Sequence, residues 1–202
     1  MTSPETDLRA DLGTVGGIVL TGGTAARLGG ADKAGIEIGG ATLLERALAA
    51  LAAVSQLVVV GPEVATSRPV TFRREDPPGG GPAAAVLAGL SGFPRLPAVV
   101  VVLAVDMPMV TAATVDRLLA AMARGPDVEG AVLVDAAGYR QSLCAAYRAA
   151  SLVERGQTAQ AGIAMRQLLV GLRIVEVPAT GRETDDVDTW ADLARLRDAC
   201  GG

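Results

Sequence analysis

The chain has 202 residues, 50% of them hydrophobic but only 2% aromatic, with a formal net charge of −4, no histidine and two cysteines, Cys144 and Cys200. That length suits one α/β domain whose core is built from Ala, Val, Leu and Ile. The acidic balance gives no general attraction to nucleic acid or an anionic membrane, and the lack of histidine removes a histidine triad. The cysteines lack metal-ligand spacing and fit a reducing compartment. Residues 1–14 are polar and acidic, without a basic start or an apolar core, and the longest apolar run, 98–105, is too short to span a bilayer. The expectation is a soluble cytoplasmic protein, with a polar extension over 1–14 and one domain over 15–202.

Residues 15–20 are apolar and read as a buried strand that runs into Leu20-Thr21-Gly22-Gly23-Thr24-Ala25-Ala26-Arg27-Leu28-Gly29-Gly30-Ala31-Asp32-Lys33. Glycines at the carboxyl end of a strand let backbone N–H groups approach a ligand, and Arg27 and Lys33 add cations to the same concavity, which suits a polyphosphate. Neither G-x-x-x-x-G-K-[ST] nor G-x-G-x-x-G is matched. Lys33 is the only lysine among 18 basic residues, in a chain that otherwise uses arginine. A compact ammonium and a planar guanidinium are not interchangeable at a tight phosphate site, so this position singles out Lys33.

The remaining elements alternate strand and helix. Residues 35–40 read as a short hairpin-like excursion, and Thr42-Leu43-Leu44-Glu45 is a capping box opening a helix to about residue 53. A strand over 56–60 follows, then a third that ends near Arg73-Arg74, directly before Glu75 and Asp76. Residues 77–82, Pro-Pro-Gly-Gly-Gly-Pro, form a second glycine-rich loop ahead of an Ala-rich helix over 83–90, either a plain connector or a helix start that could hold an anion or a base edge. The β-branched run 99–105 is the central parallel strand, and it delivers Asp106 to the crevice where Mg²⁺ bridging nucleotide phosphates would sit. Thr111 caps a helix over 114–122. Strands are expected over 130–134 and 141–147, the latter as an edge strand. After them come a loop over 154–164, a helix over 165–172, a strand over 173–177 and a helix over 190–197.

The pattern L-x-G-G-x-x-x-R-x-G-G-x-D-K at 20–33 resembles the signature loop of the molybdenum cofactor guanylyltransferases and their nucleotidyltransferase relatives. The likeness continues in order to about residue 196. Gln141-Ser142-Leu143-Cys144-Ala145-Ala146-Tyr147 is similar to the family's Q-P-L-x-A-x-Y, and Asp186-Val187-Asp188-Thr189 to its D-V-D-T, whereas Pro82-Ala83-Ala84-Ala85 only partly matches G-P-L-A-G. The resemblance implies a three-layer α/β/α, Rossmann-like (GT-A-like) fold with a mostly parallel sheet. It implies transfer of GMP from GTP to the phosphate of molybdenum-loaded molybdopterin, with Mg²⁺ as cofactor and molybdoenzymes or cofactor-delivery proteins as partners.

In that reading Arg27, Lys33 and Asp106 are catalytic. Leu20, Thr21, Gly22, Gly23, Gly61 and Asp76 bind the nucleotide together with them, and Asp188 joins Asp106 on the metal. Gln141, Arg166 and Asp186 face the acceptor. Gly61 stands where relatives carry an Asn, so the choice of base stays open. The alternatives are cytidylyl transfer to the same pterin, activation of a sugar or polyol phosphate, and a non-catalytic nucleotide-binding role in cofactor delivery.

Overall fold

The computed structural model describes residues 12–22, 32–76, 78–157 and 162–199. Strand β1 (Val15–Leu20) precedes a 3₁₀ turn (Lys33–Gly35) and the small hairpin of β2 (Glu37–Ile38) and β3 (Ala41–Thr42). Helix α1 (Leu43–Ala50), β4 (Gln56–Val60), β5 (Thr71–Arg73), α2 (Gly81–Leu90), β6 (Val99–Ala104) and α3 (Ala112–Met122) follow. The chain continues with β7 (Gly130–Val134), β8 (Arg140–Arg148), α4 (Ala149–Gln157), α5 (Met165–Leu168), β9 (Ile174–Pro178) and α6 (Trp190–Ala199).

Seven strands form one sheet in the order β5-β4-β1-β6-β8-β7-β9. All neighbours pair in parallel except β8, which runs antiparallel to both β6 and β7. The chain steps outward from β1 to β4 and β5, then returns to the other side of β1 with β6. Strand order therefore reverses between β1 and β6, and the crevice beyond their carboxyl ends is the place where such sheets bind ligands.

The period-2 alternation of the strands divides the core into two faces. Val19, Val59, Val101 and Leu103 pack with Leu44 and Leu48 of α1, Leu118 and Met122 of α3, and Leu193 and Leu196 of α6. Ile18, Leu20, Val58, Val60, Val100 and Val102 pack with α2, with Leu152 of α4 and with Met165 and Leu168 of α5. Helices on both faces of a mostly parallel sheet make the expected three layers. Packing begins before β1, since Leu12 is in the core and Thr14 Oγ1 accepts from Ala98 N at 3.1 Å. Among the described residues no helix is long and apolar enough to cross a membrane.

Several elements differ from the sequence reading. Strand β8 lies inside the sheet rather than at its edge, because residues 144–147 are fully buried and the Tyr147 hydroxyl finds a partner in the Ser142 carbonyl at 2.9 Å. Residues up to Gln157 are helical, not loop. Gly156 sits inside α4 because a Cβ there would lie 2.6 Å from Leu87 Cδ2, so the glycine marks a close helix approach rather than a break. Helix α5 stops at Leu168 instead of 172, in a turn completed by Gly171 at φ +80°. Helix α1 stops at Ala50, where the Arg68 guanidinium covers the carbonyls of Leu48, Leu51 and Val54. Thr42 caps α1 as expected, accepting from Glu45 N at 3.1 Å, but the Glu45 carboxylate turns away to the backbone N–H and hydroxyl of Ser67.

Candidate active site

A cavity of about 500 Å³ opens at the switch point, lined by Leu20, Gly22, Gly61, Glu75, Asp106 and Leu143 among others. Leu143 reaches it because the β7–β8 pairing jumps from Val132 opposite Ala145 to Leu133 opposite Gln141, so residues 142–144 bulge out of that ladder.

Beside Asp106 of the cavity lining, Lys33 is held in the 3₁₀ turn, whose start is fixed by Asp32 Oδ1 accepting from Ala34 N at 3.1 Å. Lys33 is only 8% exposed. Its Nζ donates to Asp188 Oδ1 at 2.7 Å and to Asp106 Oδ2 at 3.3 Å. Burial by itself would lower the ammonium's pKa, but the Asp188 hydrogen bond and the charges of both carboxylates outweigh it and hold Lys33 above its ordinary 10.5. Lys33 is a permanent cation shared by two carboxylates that lie 82 residues apart in sequence.

Backbone contacts bring those carboxylates together. The Val105 N–H donates to Leu20 O at 3.0 Å, which carries the β1–β6 pairing up to Asp106. The Val187 N–H donates to Asp106 O at 2.8 Å, so the loop with Asp186 and Asp188 docks on the loop with Asp106. That second loop is anchored below by Glu183, whose buried carboxylate accepts from Thr114 Oγ1 at 2.6 Å, Arg117 Nη2 at 2.5 Å and Thr180 N at 2.7 Å. Arg46 of α1 spans the other side, donating to Pro108 O at 2.9 Å and Ile38 O at 3.3 Å. Burial and then the charges of Asp188 and Asp106 push the Asp186 carboxyl above the usual carboxylate range.

The expected site residues separate into groups. Leu20, Gly22, Gly61 and Asp106 line the cavity, while Lys33, Asp186 and Asp188 gather around Asp106. Thr21 is buried, and both its N–H and its hydroxyl donate to Val60 O at 3.1 Å, which leaves it to brace β1 against β4. Gly61 has φ +156°, and a Cβ on it would fall 1.8 Å from Thr21 Oγ1, so this backbone excludes an asparagine there on steric grounds. Asp76 is exposed and off the cavity lining, where its neighbour Glu75 stands instead. Gln141 is half-buried at the start of β8, and Arg166 is exposed on α5. Gly23 and Arg27 lie outside the described residues. Sequence reading missed Glu75, Arg46 and Glu183; the last lies three residues before the D-V-D-T match at 186–189, and nothing local marks a glutamate that will be buried.

The donor set suits Mg²⁺. Among the described residues no group of three or more potential metal ligands converges. Two half-exposed carboxylates, Asp106 and Asp188, face one lysine, with Asp186 adding further negative charge nearby. Mg²⁺ takes one or two carboxylates and completes its shell with water and substrate phosphates, so this arrangement fits it better than an all-protein cage would.

Residues 17–174 match the model of the MobA-like NTP transferase domain. The chain belongs to that family. It is 34% identical over 114 residues to a molybdenum cofactor guanylyltransferase from Rhizobium johnstonii, an alignment that takes in 55% of this chain and 54% of the relative, so the chain spans about half the length of that curated relative. Among solved structures it is similar to molybdopterin-guanine dinucleotide biosynthesis protein A from Archaeoglobus fulgidus, with a TM-score of 0.70 and 22% identity, covering 92% of this chain and 98% of the other. It is equally similar to 2-C-methyl-D-erythritol 4-phosphate cytidylyltransferase from Thermus thermophilus, with a TM-score of 0.70 and 20% identity over 94% of this chain and 100% of the other. At such identities the two structures establish the shared nucleotidyltransferase fold, and function has to be argued from the site.

Proposed function

We infer that this member of the family transfers GMP from GTP to the terminal phosphate of molybdenum-loaded molybdopterin, forming the guanine dinucleotide and pyrophosphate. The observation that carries the reading is the Lys33 ammonium shared by Asp188 and by Asp106, which lines a nucleotide-sized cavity beyond β1 and β6. The name of the Rhizobium relative supports the choice of base and acceptor.

An ionised phosphate oxygen of the acceptor attacks the α-phosphorus, a P–O bond forms to it, and the bond from that phosphorus to the bridging oxygen breaks as pyrophosphate leaves. The nucleophile needs no base, which agrees with a site built without histidine. Positioning and charge stabilisation therefore carry the catalysis. Backbone at Leu20 and Gly22 orients the nucleotide, and Lys33, protonated at every physiological pH, stabilises charge on the phosphates. Arg27 adds a second cation on the strength of the motif alone. Asp106 and Asp188 are the residues suited to hold Mg²⁺, which when bound would neutralise phosphate charge. Gln141, Arg166 and Asp186 are assigned to the acceptor side.

A competition tests the reading: purified protein with Mg²⁺, metal-loaded molybdopterin and equal GTP and CTP, the dinucleotide identified by chromatography. A guanine dinucleotide is expected. A cytosine product would keep the fold and mechanism but reverse the base, and turnover with a sugar or polyol phosphate in place of the pterin would replace the acceptor.

A further inference from the structure

We propose that Lys33 competes with a divalent cation for the same carboxylate oxygens and thereby couples metal entry to nucleotide entry, a role that rests on the nucleotidyl-transfer reading above. The Lys33 ammonium donates to Asp188 Oδ1 at 2.7 Å and to Asp106 Oδ2 at 3.3 Å. Its side chain is 9% exposed, against 32% for Asp106 and 47% for Asp188, so the ammonium reaches the two acids from within the fold while they keep access to solvent. The bond from Val187 N–H to Asp106 O joins the two acid loops through main chain. The carboxylates therefore stay paired when the ammonium moves.

Mg²⁺ sheds its water reluctantly even for carboxylates that are unpaired. Lys33 adds to that cost in one of two ways: its charge-assisted hydrogen bonds are given up, or two cations share the same acids against their mutual repulsion. Bare Mg²⁺ is therefore a weak ligand of Asp106 and Asp188. A nucleoside triphosphate alters the balance, because its phosphates offer Lys33 other anionic oxygens and release the acids for the ion those phosphates carry. Metal and nucleotide then raise each other's affinity by one common factor, and Lys33 is the group whose position both of them bias. A point charge on a flexible four-carbon stem can make that transfer, whereas a planar guanidinium fork would stay fixed on its carboxylates. This accounts for a lysine at the one position where the chain departs from arginine.

Because Lys33 is the only lysine, labelling the full chain with lysine carrying ¹³C at Cε gives a single side-chain NMR signal, that of Lys33. The signal is expected to hold its position when Mg²⁺ alone is added and to shift when the same Mg²⁺ is added with GTP, whose binding is followed separately by calorimetry. Paramagnetic resonance measures the affinity for Mn²⁺ without nucleotide, and Lys33→Met is expected to bind it about 10-fold or more tighter than the wild type. Mg²⁺ alone moving the signal as far as Mg²⁺ with GTP overturns the proposal, as does a signal that stays still while calorimetry shows GTP bound, or equal Mn²⁺ affinity in the two proteins. The NMR arm uses no variant, so it decides even where Lys33→Met does not fold. Calorimetry that shows no binding of GTP, with or without Mg²⁺, overturns the nucleotidyl-transfer reading itself and this role with it, so the two failures are told apart.

Discussion

The backbone N–H of Val187 donates to the carbonyl oxygen of Asp106 at 2.8 Å, joining the two loops that carry the site's carboxylates through main chain rather than through the carboxylates themselves. The side chains of Asp106 and Asp188 are thereby left for Lys33. Val187 is fully buried, so the joint is also part of the core.

Lys33 is the cation at that joint, and under the proposed function its removal would strip charge stabilisation from the phosphates. Lys33→Ala is expected to lower kcat by about 10²–10³, or roughly 2.7–4 kcal/mol, the magnitude of one preorganised electrostatic donor. Lys33→Arg should fail to restore it, because a planar fork cannot occupy a pocket shaped for a point donor 2.7 and 3.3 Å from two carboxylates. Steady-state turnover at saturating nucleotide checks both. Since the folded-state pKa is raised, the stability from this pairing is fully present below 10.5 and is lost only as pH rises through the raised value.

Arg46 joins the strand-end loop at Pro108 to the hairpin at Ile38, a few residues beyond Lys33. Arg46→Ala should let the Asp106 and Lys33 segments drift apart and reduce kcat by about 10- to 100-fold, with a smaller change in KM. Arg46→Lys restores at most part of the loss, as one ammonium must span two carbonyls. A KM effect equal to the kcat effect would argue for nucleotide contact instead of positioning.

Glu183 fixes the D-V-D-T loop on α3. Burial raises its pKa, but hydrogen bonds from Arg117, Thr114 and Thr180 outweigh that and hold it below the ordinary carboxylate value of 4.5. A depressed folded-state pKa contributes stability above pH 4.5 that is lost as pH falls through the lowered value. Glu183→Gln should cost about 1.5–3 kcal/mol at pH 7 and flatten the fall of Tm below about pH 4.5. Thermal unfolding of both proteins from about pH 7 to about pH 3 provides the comparison.

Gly61 and Thr21 form a testable steric pair. Gly61→Ala places a Cβ 1.8 Å from Thr21 Oγ1 and is expected to destabilise by about 1–3 kcal/mol. Thr21→Ala removes that oxygen, leaving a Cβ contact of 3.2 Å, and loses the hydroxyl's bond to Val60 O. The double variant should therefore lose clearly less than the sum of the two single variants, as read by denaturant unfolding.

Much of this protein was legible locally. The valine run of β6, the Thr42 cap of α1 and the strand–loop start at Leu20 each follow from periodicity and residue chemistry within a few positions. Because ligands bind where strand order reverses, the loop after β1 and Asp106 after β6 could be assigned to one crevice from an alternating pattern of elements. The uniqueness of Lys33 also needed no coordinates.

Only the tertiary structure decided what depends on partners far along the chain. Residues 145–147 read alike on an edge or inside a sheet, and pairing with both β6 and β7 placed them inside. Gly156 reads as a break until Leu87 is seen packing against it. Glu75 and Asp76 are adjacent acids with indistinguishable local signals, yet the backbone turns one into the cavity and the other to solvent. Gly61 reads as a missing asparagine until Thr21, 40 residues earlier, is found occupying its side-chain space. Sequence patterns report the preferences of single segments, whereas orientation, burial and steric exclusion belong to pairs of segments and exist only once the chain has closed on itself.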